Sequence, residues 1–201
     1  MNGLADSLPQ LLKKATALLG TNPQEAINQI ELINREYPED AEAWHQTGLL
    51  CLNINQTEKA IQKLSQAALK NPKNAIYQSN LGELYRRQGM LDHSIRINKN
   101  AVKLKPDMVN ANYNLAIAYY DNGDYNRAIK FYKKTVQLNP EHGMAWNNMG
   151  TCYEKKLDFD EAHLMYERAV KINSGHLEAL NNLATTHNHK GDTDEAIKIF
   201  N

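Results

Sequence analysis

The stretch AWNNMGTCY, residues 145–153, decides how this chain folds. Its apolar residues fall at helical spacing, yet Asn147 and Asn148 stand in the middle of it. Asparagine is a mediocre helix former, because its side chain competes for nearby backbone groups. The same word returns as NLGELY at 80–85, NLAIAY at 114–119 and NLATTH at 182–187. Asn80, Asn114, Asn148 and Asn182 therefore mark a step of 34 residues. Self-similarity at a fixed step signals a repeat architecture.

Laid on itself at that step, the chain divides into frames 41–74, 75–108, 109–142, 143–176 and an incomplete 177–201. Residues 1–40 carry a weaker frame from Ser7 to Asp40. Small residues recur at fixed places: Gly48, Gly82, Ala116, Gly150 and Ala184 at position 8, and Ala60, Ser94, Ala128, Ala162 and Ala196 at position 20. They mark close backbone approaches. Larger apolar residues fill between them, such as Leu81, Leu115, Met149 and Leu183 at position 7. A breaker follows each first helix. Gly89, Gly123 and Gly191 can take the left-handed backbone that ends a helix, and Asp124, Asp158 and Asp192 can cap the next one. The second helix stops near Pro72, Pro106 or Pro140, because proline cannot continue it. Each frame is thus a helix–turn–helix pair.

These frames resemble tetratricopeptide repeats. The pattern of Trp, Leu-Gly, Tyr, then Ala, Phe, Ala and Pro is met best by AWNNMGTCYEKKLDFDEAHLMYERAV. The resemblance covers residues 41–201 strongly and 7–40 weakly. It implies an all-α, right-handed solenoid with a concave groove lined by the first helix of each pair, and an N-terminal capping pair in residues 1–40. Gln78 and Asn112 stand where the large residue at position 4 is expected, Asn98 replaces the aromatic at position 24, and Leu157 replaces the turn glycine. Looser local packing is expected there.

Positions 4, 7, 8 and 11 point into the stack. Position 6 lies about 200° from position 4 at about 100° per residue, so Gln46, Asn80, Asn114, Asn148 and Asn182 should climb the groove wall as a ladder. Tyr113, Asn147 and Asn181, at position 5, are placed in the same groove. An amide offers both a donor and an acceptor, so each rung can grip the backbone of an extended peptide; it can equally bond a neighbouring repeat. The resemblance also implies a similar ladder in the repeat arm of O-linked N-acetylglucosamine transferases, whose frames read Asn-Leu-Gly at this place. That carry-over touches only the four asparagines. Side-chain pockets are expected at Ile76, Tyr113, Ile117, Tyr120 and Met144. The chaperone-binding carboxylate clamp of some family members is not matched, since position 2 has no lysine and position 5 reads His45, Ser79, Tyr113, Asn147, Asn181.

Composition narrows the function. Lys+Arg and Asp+Glu both number 23, without the basic excess of a duplex-DNA binder. The start, MNGLADSLPQLLKKATALLG, lacks the apolar core of a signal peptide, and no apolar run reaches the length of a membrane span. Cys51 and Cys152 read as reduced, buried small residues, which fits a cytoplasmic location. His187 and His189 are two apart and do not share a helix face, so no metal site is expected. Asp158, Asp160, Glu161 and His163 open a helix, where acids favour the dipole. No catalytic residue and no cofactor site is expected in these residues.

The expected function is that of a protein–protein interaction module holding a protein or peptide in extended form. The other reading is a substrate-recognition arm of a larger glycosyltransferase or sulfotransferase with its catalytic domain beyond Asn201. Ile197, Ile199 and Phe200 form an apolar face with no following helix; a continuing chain or self-association through this end would cover it.

Overall fold

Side-chain caps and left-handed turns cut the chain into eleven α-helices in the computed structural model, which describes residues 6–190. They run as pairs: α1 (Leu8–Leu18) with α2 (Pro23–Glu36), α3 (Ala41–Asn53) with α4 (Thr57–Lys70), and α5 (Ala75–Arg87) with α6 (Leu91–Leu104). Then come α7 (Val109–Asp121) with α8 (Tyr125–Leu138), α9 (Gly143–Lys155) with α10 (Phe159–Ile172), and α11 (Leu177–Lys190). No strand occurs among the described residues. Gly191, Asp192, Ala196, Ile197, Ile199, Phe200 and Asn201 lie outside them.

The residue before each first helix is an acceptor in most frames. Asp40 accepts from the N–H of Glu42 at 2.8 Å, Asn74 from Ile76 at 2.9 Å, and the Nδ1 atoms of His142 and His176 from Ala145 and Ala179 at 3.2 and 3.1 Å. Asp124 and Asp158 cap α8 and α10, as their spacing predicts. Position 15 of four frames takes a positive φ: Asn55 at 57°, Gly89 at 72°, Gly123 at 78° and Leu157 at 62°. Leu157 is held there because the flanking N–H of Asp158 bonds Tyr153 O at 2.9 Å, the bond that Asp124 makes to Tyr119 in the frame before. A left-handed leucine costs about 1–2 kcal/mol.

Within a pair the two helices touch at positions 8 and 24. A Cβ on Gly48 would meet Leu64 at 2.8 Å, one on Gly82 would meet Asn98 at 2.5 Å, and one on Gly150 would meet the Tyr166 ring at 2.6 Å. Ala60, Ala101, Ala128, Ala162 and Ala169 are fully buried alongside. Between pairs, position 4 ties each first helix to the proline turn before it. Trp44 and Trp146 donate from Nε1 to the carbonyls of Pro38 and Pro140 at 2.9 and 2.8 Å. Asn112 donates from Nδ2 to Pro106 at 3.0 Å, and Gln78 from Nε2 to Pro72 at 3.4 Å. The two amides thus keep the indole's hydrogen bond while giving up its apolar bulk. They also bring an oxygen the indole lacks: Gln78 Oε1 and Asn112 Oδ1 are buried with no partner.

The apolar core falls into two clusters. One runs from Leu11 to Ile97, the other from Leu115 to Leu183. Polar residues crowd the seam between them: Gln78, Ser79, Ser94, Asn98 and Asn112 are all buried. Asn98 gives one hydrogen bond to Ser94 Oγ at 3.2 Å and leaves Oδ1 unpaired. The looser packing expected at this frame takes the form of a polar break in the core.

Two stability outcomes follow from these sites. Leu157→Gly should raise the melting temperature by relieving about 1 kcal/mol of backbone strain, less the extra freedom glycine gives the unfolded chain; an unchanged or lower Tm would refute the strain. Asn98→Leu copies the Leu64–Gly48 pair and removes an orphaned carbonyl, and should stabilise by about 1 kcal/mol in urea titration. A destabilised variant would mean that Asn98 makes a contribution its hydrogen bonds do not account for.

Candidate interaction face

First helices lie against one another along the stack. α1 packs on α3, α5 on α7 and α7 on α9, whereas α4, α6, α8 and α10 make no comparable contacts among themselves. The first helices therefore form the inner face and the second helices the outer one.

The position-6 asparagines sit along this inner face, half-buried. Each points its Nδ2 at position 5 of the frame before, 35 residues back. Asn80 meets His45 Nε2 at 2.9 Å, Asn114 donates to Ser79 Oγ at 3.0 Å, Asn148 to Tyr113 Oη at 3.2 Å, and Asn182 to Asn147 Oδ1 at 3.1 Å. Burial pushes the His45 imidazole below its ordinary value, despite the opposing charge of Glu42, so the ring is neutral and its nitrogen can accept. Gln46 breaks the pattern for a plain reason. Position 5 before it is Leu11, which has no acceptor, so Gln46 turns to Glu42 in its own helix.

The structure thus realises the neighbour-to-neighbour bond that the asparagine amide allowed. The carbonyl halves of Asn80, Asn114 and Asn182 accept no hydrogen bond among the described residues, while Asn148 Oδ1 takes one from Asn147 at 3.3 Å. Asn147 itself is not on the open groove. It is 1% exposed, because its amide is caught between Asn148, Asn182 and Glu178. Tyr113 is half-buried, its ring 4.5 Å from that of His142 and its phenol raised by burial. Asn181 is exposed. Pattern reading places Tyr113 and Asn147 in the groove but misses that they, with His45 and Ser79, are acceptors for the next frame. The signal was present, since every residue 35 before a ladder asparagine carries an acceptor.

Ile76 and Met144 stand half-exposed at position 2. Ile117 and Tyr120, with Tyr132, Asn148 and Thr151, line a hollow of about 160 Å3 between α7 and α9, beside the carboxylates of Asp121 and Glu178. Arg86 offers no free positive charge to a ligand: it pairs with Glu83 at 2.8 Å and Asp121 at 2.7 Å. Arg87 also pairs with Glu83. Cys51 and Cys152 are buried free thiols, and burial pushes Cys152 up to about 12, far from a reactive thiolate. His187 packs edge-on to His163, and exposed His189 stacks on Phe159 at 4.5 Å. No group of three metal-ligating side chains occurs among the described residues. No helix there is long and apolar enough to cross a membrane.

The inter-repeat bonds have a measurable consequence. Ser79→Ala, Asn114→Ala and the double variant, compared in urea, should show a coupling energy of about 0.5–1.5 kcal/mol. A coupling of zero would mean the rung adds nothing to the stack.

Comparison with known proteins agrees with this architecture. Three tetratricopeptide repeat profiles match residues 46–109, 107–175 and 165–198. No curated protein matches the chain. Among solved structures, the pilF protein of Pseudomonas aeruginosa is 15% identical, with 96% of this chain and 88% of that one covered and a TM-score of 0.80. MamA from Desulfovibrio magneticus RS-1, from its residue 41 to the end, is 18% identical, covering 87% and 99%, with a TM-score of 0.75. YrrB, described as "a TPR protein with an unusual peptide-binding site", is 19% identical, covering 85% and 88%, with a TM-score of 0.69. These likenesses speak for the fold, and the profiles for the lineage. With its helix pairs stacked at a step of 34 residues and three profiles spanning most of its length, the chain belongs to the tetratricopeptide repeat family of protein-interaction modules.

Proposed function

We propose that the inner face holds a segment of a partner protein in extended form, running along the asparagine ladder. The observation that carries this reading is the fixed posture of the rungs. With each Nδ2 anchored in the preceding frame, the carbonyl oxygen is immobilised and turned away from that bond, ready to accept a backbone N–H. Neighbouring helices lie about 8–10 Å apart and an extended chain advances about 3.3–3.6 Å per residue, so a rung would meet roughly every third residue. The description of YrrB as a peptide-binding repeat protein of similar fold is in keeping with such use.

The rungs alone would bind weakly. One acceptor per rung contributes about 0.5–1.5 kcal/mol, against an association cost of about 4–15 kcal/mol. The ladder would fix direction and register, and side-chain contacts at Ile76, Tyr113, Ile117, Tyr120 and Met144 would supply most of the affinity. Asn181, exposed at the end of the described array, would extend the same face.

The test replaces backbone N–H groups in the ligand, which leaves the protein fold intact. Peptides selected from a random library on the 201-residue chain should lose about 2- to 10-fold in affinity when an amide meeting a rung is changed to an ester, a range equivalent to one hydrogen bond. The sensitive positions should recur every third residue. Uniform tolerance to esters along the peptide, or failure to select any peptide, would defeat this reading.

A further inference from the structure

Position 24 of a frame passes beneath the small residue at position 8 and reaches toward the inner face. In the fourth frame that residue is Tyr166, whose hydroxyl donates to Glu154 Oε2 at 2.8 Å and lies 3.3 Å from Thr151 Oγ1. In the third frame it is Tyr132. Positions 9 and 12 there are Ile117 and Tyr120, and neither bonds the hydroxyl. Tyr132 is fully buried, and its oxygen makes no hydrogen bond of proper geometry among the described residues, although the Asn148 amide lies near enough to influence it. A buried hydroxyl without a partner is costly and calls for an explanation. Tyr132 is one of the residues lining the hollow between α7 and α9, which is edged by the more exposed Asp121 and Glu178 and lined by no lysine or arginine.

We propose that this hollow is a specificity pocket for one basic side chain, lysine or arginine, of the bound segment. The inference rests on the extended-segment reading above and names the residue class that segment must carry. Two carboxylates at the mouth would face the cation. One oxygen of Asp121 already holds Arg86 at 2.7 Å, and one of Glu178 accepts from Asn147 at 3.2 Å, which leaves each carboxylate a second oxygen. The Tyr120 ring lies in the same wall and offers a π face to a cation. At the floor, the unpaired Tyr132 oxygen has lone pairs for an ammonium or guanidinium N–H. Burial, reinforced by the charge of Asp121, pushes both phenols up from their ordinary value, so they remain neutral hydroxyls. An acidic side chain would meet the reverse of what it needs, because two carboxylates edge the hollow and one N–H of the Asn148 amide is already spent on Tyr113. The volume of about 160 Å3 is that of about five waters at roughly 30 Å3 each, suited to one aliphatic arm and its charged head.

The experiment uses fluorescently labelled ten-residue peptide libraries with one fixed central residue and random flanks, titrated into the 201-residue chain. Lysine- and arginine-centred libraries should bind at least fivefold more tightly than norleucine-centred ones, and glutamate-centred ones most weakly, with the gap narrowing in high salt. Asp121→Asn with Glu178→Gln keeps the hydrogen-bond acceptors but removes the charge, and should bring the basic-to-norleucine ratio near one. Tyr132→Phe removes a buried hydroxyl that makes no well-formed hydrogen bond; it should lower the ratio while the Tm holds or rises. Equal binding of all libraries, or a preference that survives the charge-neutralised variant, overturns the pocket and leaves the extended-segment reading standing. Binding by no library overturns that reading instead. The pocket is then judged by n-butylguanidinium titrated into 15N-labelled chain: shifts at Ile117 and Thr151 that vanish in Tyr132→Phe support it, and their absence overturns it.

Discussion

The architecture depends on one contact, the approach of position 8 to position 24 inside each helix pair. Gly48, Gly82 and Gly150 have no Cβ because Leu64, Asn98 and Tyr166 occupy the space where one would be. The closeness does more than join two helices. It lets the position-24 side chain slide under the first helix and appear at the inner face. A large residue there, Tyr132 or Tyr166, is fully buried and brings its hydroxyl up to the position-9 and position-12 side chains of the first helix. The fate of that hydroxyl is set by its own frame: Thr151 and Glu154 satisfy Tyr166, while Ile117 and Tyr120 leave Tyr132 unsatisfied. Repeats of one backbone pattern thus acquire different chemistry at this point through the residues at positions 9 and 12.

The fold was legible because a solenoid writes its constraints at a fixed period, and small residues, caps and prolines each have one physical reason to recur. The site was legible only in part. The asparagines announced themselves, but their partners did not, because His45, Ser79, Tyr113 and Asn147 look unrelated until they are seen as four acceptors. Asn147 is placed in the groove with the other position-5 residues, and the next repeat covers it. Angular position describes an isolated helix; exposure depends on how closely the next repeat sits. Gln78 and Asn112 show the converse. As residues they depart from the tryptophan of the other frames, yet as donors to the proline carbonyl they are equivalent.

The same substitutions explain why the core divides. Each exchange of an apolar residue for an amide buries one oxygen without a partner, and at Gln78 and Asn112 it also preserves the bond to the proline carbonyl: Gln78 Oε1, Asn98 Oδ1 and Asn112 Oδ1 all fall in or beside the second full frame. In a linear array, stability is close to a sum of repeat terms and nearest-neighbour terms, so a polar frame lowers the local sum without disturbing distant repeats. The seam between α5 and α7, which Asn114 crosses to reach Ser79, is where these buried polar groups gather.

This placement bears on what a ligand would do. The ladder bonds are inter-repeat bonds, so a segment lying along the inner face and contacting consecutive first helices spans the seams as well. Any ligand that binds only the stacked array stabilises the stack by mass action, and the effect is greatest where the intrinsic coupling is smallest. The inner face also has a consistent chemical character. One N–H of each ladder asparagine is used between repeats and Arg86 and Arg87 are paired within the face, while the carbonyls of Asn80, Asn114 and Asn182 accept nothing among the described residues. A surface with more unused acceptors than unpaired cations favours partners that bring donors, and an extended backbone with a basic side chain brings donors of both kinds.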